Sequence, residues 1–239
     1  MESTESKLDS FFHGMQYYLD VSREARQALA SAVAESFSVF DYLQPDENLL
    51  SRIIADLLDP KGNHGQASTF LACFLERLIA LKCTIPPDWP ARVDKATVVN
   101  EASTSFLSNS ARRIDIRIEL PPLFGIGVEN KPWAAEQMAQ LADYRAELDR
   151  RYQGQFVIVF LCQWGRTPES IPDAEWMDLR RSGRCALLRY SDDFLTWISD
   201  CHRRTQADKV RHFLSDFARY VRSNLGGTGV GEDQDDVQY

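Results

Sequence analysis

The chain has 239 residues, 44% of them hydrophobic and 26% charged, a balance that excludes disordered and fibrous classes and predicts a folded soluble protein. Its formal net charge of −8 argues against a general polyanion-binding surface. No apolar run approaches the roughly 18 residues that would span a bilayer.

The opening MESTESKLDS lacks a basic stretch followed by an apolar one, so no export is expected. Five cysteines (Cys73, Cys83, Cys162, Cys185 and Cys201) are widely spaced, with no CxxC pair. That spacing disfavours a zinc site or a disulfide framework and predicts a reducing, cytoplasmic setting.

Residues 1–44 read as a helical extension. Within it, SREARQALASAVAESFSVFDYL has Ser22 as an N-cap candidate and no Gly or Pro afterwards. Pro45 breaks the chain. In DENLLSRIIADLLDP, Leu49, Leu50, Ile53, Ile54, Leu57 and Leu58 recur at helical spacing; Asp46 can cap this helix and Pro60 helps to end it. After the turn KGNHG, STFLACFLERLIALKC predicts another apolar helix, closed by the rigid IPPDWP.

The pattern then changes. ATVVNEAS reads as a strand. In RRIDIRIEL, Ile114, Ile116, Ile118 and Leu120 alternate with Asp115, Arg117 and Glu119, the period of a strand with one buried face. PPLFG turns the chain into IGVENK, a loop short enough for an antiparallel hairpin. WAAEQMAQLADYRAELDRRY predicts a helix with Ala134, Met138, Leu141 and Leu148 toward the core. QFVIVFLC has no alternation, which suits a strand buried on both faces. Strand, helix and buried strand in succession predict a parallel, right-handed crossover. CALLRY is a fifth strand candidate, Ser191-Asp192-Asp193 a cap for DFLTWISDCH, and KVRHFLSDFARYVRSNL a last amphipathic helix ending at Gly226-Gly227.

The core is therefore expected to be an α/β sandwich with a mixed sheet over residues 45–225. Residues 226–239, with Glu232, Asp233, Asp235 and Asp236 and no basic residue, read as a flexible acidic tail.

On a strand, residues i and i+2 share a face, so Glu129 and Lys131 project together. A hairpin can set Asp115 beside Glu129. Two adjacent carboxylates repel unless a cation or a proton is shared between them. A hard divalent cation prefers such oxygen ligands, and a neighbouring lysine can orient water or stabilise charge at phosphorus.

This arrangement resembles the PD-(D/E)XK nuclease superfamily. The resemblance rests on Asp115 in RRIDIRIEL, Glu129-Asn130-Lys131 as the ExK element, the order of elements around them, and Gln140 and Tyr144 as a QxxxY element. DENLLSRIIADLLDPKGNHGQ is similar to the N-terminal motif of one branch, with Glu47, Ser51, Pro60, His64 and Gly65 in matching places. It covers about half of the chain.

The resemblance implies a restriction-endonuclease-like αβββαβ core and a metal-dependent phosphodiester hydrolase in restriction, repair or phage defence. Asp115 and Glu129 would bind Mg2+ (or Mn2+), with the Asn130 carbonyl as a third ligand. Lys131 would be the catalytic lysine, Glu47 a carboxylate completing the site, and Gln140 a group positioning Lys131 or a phosphate. The implied partner is nucleic acid, DNA before RNA, and a homodimer is compatible with it. Asp115 follows Ile114, so the motif's proline is absent.

Each residue also has a plainer reading. Glu129 and Lys131 alone would be a solvated strand-end pair, and Glu47 a helix-dipole carboxylate. Gln140 and Tyr144 would be packing positions, His64 a hydrogen-bonded loop residue, and Trp133 a core cap rather than a base-stacking platform. Glu101 has no fixed place. The alternative to an enzyme is a binding module that kept the fold without catalysis.

Overall fold

The computed structural model describes residues 4–34, 37–104, 112–133, 139–163, 165 and 167–226, without the side chains of 4–7 and 26–33. The acidic residues expected to form a tail, and Ala134 and Met138, lie outside these.

The chain divides into two units, Met1–Tyr42 and Leu43–Tyr239. The first contains α1 (Thr4–Val33), which runs uninterrupted through Ser22. The expected N-cap at Ser22 is thus a mid-helix residue, because nothing from Thr4 onward breaks the helix. A short α2 (Phe40–Leu43) follows.

In the second unit, α3 (Glu47–Leu58) starts as its sequence predicts: the Asp46 side chain accepts a hydrogen bond from the Leu49 N–H at 2.7 Å. It buries Leu50, Ile54, Leu57 and Leu58. Next comes α4 (Thr69–Ala80). Five strands follow in spatial order β1-β2-β3-β4-β5. They are β1 (Thr97–Ser103), β2 (Arg113–Leu120), β3 (Phe124–Lys131), β4 (Phe156–Cys162) and β5 (Cys185–Arg189).

The first three form an antiparallel meander, with Val98 opposite Ile118 and Ile118 opposite Ile126. α5 (Gln140–Tyr152) then carries the chain to β4, which lies parallel to β3. β5 lies parallel to β4. This mixed five-stranded sheet with flanking helices is a restriction-endonuclease-like α/β fold, with the expected αβββαβ order in α3, β1 to β3, α5 and β4.

The helix α5 begins only at Gln140, after Ala139 in a left-handed conformation. It presses close on β3: a Cβ added at Gly125 would lie 2.0 Å from the Tyr152 ring, and one at Gly127 2.8 Å from Leu148. Only glycine lets the two elements approach this closely. Leu141, Tyr144 and Leu148 pack there with Phe156, Ile158 and Phe160 of β4. All seven β4 residues are buried, as their unbroken apolar run predicts.

Between β4 and β5 lies α6 (Asp173–Arg181), a helix without a sequence expectation. After β5, Tyr190–Phe194 forms a π-helical turn that continues into α7 (Leu195–Arg204). Ser191-Asp192-Asp193 therefore sit inside a helical run rather than capping one. Asp193 instead reaches back to the Arg189 N–H at 3.2 Å and pairs with Arg77. The last helix is α8 (Asp208–Asn224). No described helix is long and apolar enough to cross a membrane.

Candidate active site

Strands β3, β4 and β5 run in one direction, so their C-terminal ends share an edge of the sheet. The register brings further residues to that edge. Asn100 pairs with Ile116 and Ala102 with Ile114, which sets Glu101 opposite Asp115. Ile116 pairs with Val128, so the same row continues to Glu129.

Strand regularity fails along this row. Glu101 adopts φ of 50°, a conformation that costs a non-glycine residue energy and tends to occur at functional sites. Ile114 packs beneath α5 near Leu148, on the side where Glu119 accepts a hydrogen bond from Tyr152 at 2.8 Å. Simple alternation would send residues 114 and 119 to opposite faces. The Asp115 carboxylate turns to the Asn130 N–H and accepts from it at 2.8 Å.

Glu129 and Asn130 are fully buried and Lys131 nearly so. The Lys131 ammonium lies 2.6 Å from Glu47 Oε1 and 2.9 Å from Glu129 Oε1. The first turn of α3 and the end of β3, 84 residues apart in the chain, thus meet at one cation. Beyond that ion pair, neither Glu129 oxygen accepts a well-directed hydrogen bond among the described residues.

Burial and crowding set the protonation of this group. Loss of water pushes the Asp115 carboxyl up to about 6, against the pull of the Asn130 N–H and Lys131. Loss of water, then repulsion from Asp115, pushes Glu129 up to about 8, again opposed by Lys131. Burial alone would lower the Lys131 ammonium, but the carboxylates of Glu129 and Glu47 outweigh it and raise it above its ordinary value. Burial and Asp115 thus favour the protonated Glu129 carboxyl, while Lys131 favours the ionised one.

Asn130 is the keystone of this edge. Its side-chain amide donates to Ser51 Oγ on α3 at 3.0 Å, and its carbonyl oxygen accepts from the Tyr190 hydroxyl at 2.5 Å. Both polar atoms of the Asn130 side chain are thus engaged within the protein. Behind it, the Gln140 amide donates to the Tyr144 hydroxyl at 3.0 Å, and Tyr144 in turn donates to the Arg113 carbonyl. The Gln140 amide, expected to position Lys131 or a phosphate, thus reaches Tyr144 one turn on, and the pair anchors the start of β2.

The fit to a divalent cation is one of chemistry. Asp115 and Glu129 offer hard carboxylate oxygens, two of them buried and short of hydrogen bonds, and such oxygens suit Mg2+ or Mn2+. No trio of His, Cys, Asp or Glu among the described residues forms a closed metal cage. Lys131 fills the gap between Glu47 and Glu129, which keeps Glu47 a lysine partner.

His64 takes its plainer reading. Its Nδ1 accepts from the Gln66 N–H and its Nε2 meets the Asp59 carbonyl, both at 3.0 Å. Those partners suit the tautomer that donates from Nε2. Glu101 pairs with Arg113 at 2.6 Å. Trp133 is half exposed rather than a core cap.

Tyr190 was not legible as a site residue. It stands 60 residues from Asn130, and only its place just beyond a strand parallel to β4 marks it out.

A profile of the PD-(D/E)XK nuclease superfamily matches residues 37–219. No curated protein matches the chain, and no solved structure does. The match covers most of the chain and contains every residue of the cluster around Lys131, and so the chain belongs to the PD-(D/E)XK nuclease superfamily.

Proposed function

We propose that the protein is a divalent-metal-dependent nuclease that hydrolyses phosphodiester bonds, with DNA preferred over RNA. The observation that carries this reading is the meeting of Asp115, Glu129, Lys131 and Glu47 at one edge of the sheet. Asp115 and Glu129 would hold Mg2+ or Mn2+ with the Asn130 carbonyl. The ion would supply Lewis acidity at the phosphoryl oxygen and a more acidic water.

The chain's own residues do the rest. Glu47 holds the Lys131 ammonium in place, and Lys131 counters the charge that builds on the attacked phosphoryl group. Gln140 and Tyr144 fix the start of β2 and thereby Asp115. The preference for DNA and a role in restriction, repair or phage defence rest on the family likeness, and a cytoplasmic location rests on the widely spaced cysteines.

The test is purified protein incubated with plasmid, linear duplex, single-stranded DNA and RNA, with and without Mg2+ or Mn2+. Cleavage of DNA that needs the metal supports the reading. Cleavage that persists in EDTA, or survives both Asp115→Ala and Lys131→Ala, refutes it. A second reading, a binding module without catalysis, draws on the ammonium lodged between Glu47 and Glu129. No uptake of Mg2+ or Mn2+ by calorimetry would favour that module.

A further inference from the structure

The helix α1 carries an apolar stripe that is too large for an isolated surface helix. Leu8, Phe11, Phe12, Met15, Tyr18 and Leu19 recur at spacings of three and four residues, and each is exposed by 46% or more. Asp9, His13, Gln16, Asp20 and Glu24 fall on the opposite side. A helix gains most of its stability from packing such a face, and large apolar patches left in water mark interaction sites.

Three occupants could cover the stripe. An anionic membrane would require a basic polar face, but residues 1–42 hold seven acidic residues against three basic ones. The same charge disfavours nucleic acid. A second copy of the helix carries the same acidic charge, but pairing the two stripes leaves both acidic faces apart in water, where salt screens them.

The area agrees. At these exposures the six side chains present roughly 600 Å² per chain, and two copies would bury on the order of 1,200 Å², the lower end of specific interfaces.

We infer that α1 is a homodimerisation element that pairs with α1 of a second copy through the Leu8–Leu19 stripe. The inference does not rest on the nuclease reading. At this area the association is weak, with a dissociation constant on the order of micromolar.

The experiment is light scattering and sedimentation of the full chain across a dilution series. We expect twice the 27.3 kDa chain mass at tens of micromolar and dissociation on dilution. The double variant Phe11→Ser/Met15→Ser should be monomeric at every concentration. Tyr17→Ser removes an aromatic of equal exposure that lies off the stripe, and it should still dimerise.

A monomeric wild type at high concentration overturns the inference. So does a stripe variant that still dimerises, or loss of the dimer in both variants, which would report failure of the helix and not of the stripe. Binding to anionic vesicles in place of self-association would assign the face to a lipid surface and overturn it as well.

Discussion

Glu129→Gln is the most informative substitution, because it separates what the site costs from what it does. Glu129 is fully buried, and its carboxyl stands at about 8 in the fold against an ordinary 4.5. The folded chain therefore keeps a proton that the unfolded chain releases across that window. Stability must fall as pH rises from about 4.5 to about 8, and the loss is absent below the window and complete above it.

Each pH unit is worth about 1.4 kcal/mol, so the ionised carboxylate costs on the order of 5 kcal/mol at pH 9 before relaxation. Glutamine mimics the protonated acid in size and neutrality, and it leaves Lys131 its bond to Glu47. The variant should match wild type near pH 4.5 and exceed it at pH 9. In EDTA the gain should be about 10–20 °C in Tm, at 2–4 °C per kcal/mol for a chain of this size. Thermal unfolding followed by circular dichroism from pH 4.5 to 9 reads this directly. An advantage that does not grow with pH, or no advantage at pH 9, would refute the reasoning. The same variant should lose metal-dependent cleavage, so stability and activity should move in opposite directions.

Other outcomes follow from the same geometry. Lys131→Met should abolish cleavage yet stay folded at pH 7 by circular dichroism, because Glu129 can hold its own proton there. Calorimetry should show Mg2+ affinity rising between pH 5.5 and 8.5 with release of protons, since Asp115 (about 6) and Glu129 (about 8) must ionise to bind it. Tyr190→Phe leaves the buried Asn130 side-chain oxygen without its donor and should cost about 1–3 kcal/mol by urea unfolding. Gly125→Ala drives a methyl into the Tyr152 ring and should lower the urea midpoint by displacing α5 from β3.

The elements that are periodic over many residues were legible in the sequence. α3, β2 and β4 stand where their apolar spacing puts them, because period and burial express the same constraint. Asp115 and Glu129 came together because a short turn fixes the register of a hairpin. Features that depend on a distant partner were not legible. α6 buries only Trp176 and Leu179 in nine residues, too few to reveal a helical period. Ser191-Asp192-Asp193 resembles a cap locally, yet Asp193 is drawn to Arg77, 116 residues away. Glu47 could be read as a helix-dipole carboxylate until Lys131 appeared beside it. The left-handed backbone at Glu101 has no local cause in TVVNEAS.

The turn between β2 and β3 spans only residues 121–123, yet it acts as the ruler for the chemistry. Adding or removing one residue there would slide β2 along β3 and bring Ile114 or Ile116, rather than Asp115, opposite Glu129. The acidic pair would be replaced by grease facing a lone carboxylate, with no side chain of the cluster altered. Natural variation in this chain should therefore spare the length of that turn more strictly than its composition, although none of its residues touches the reacting groups.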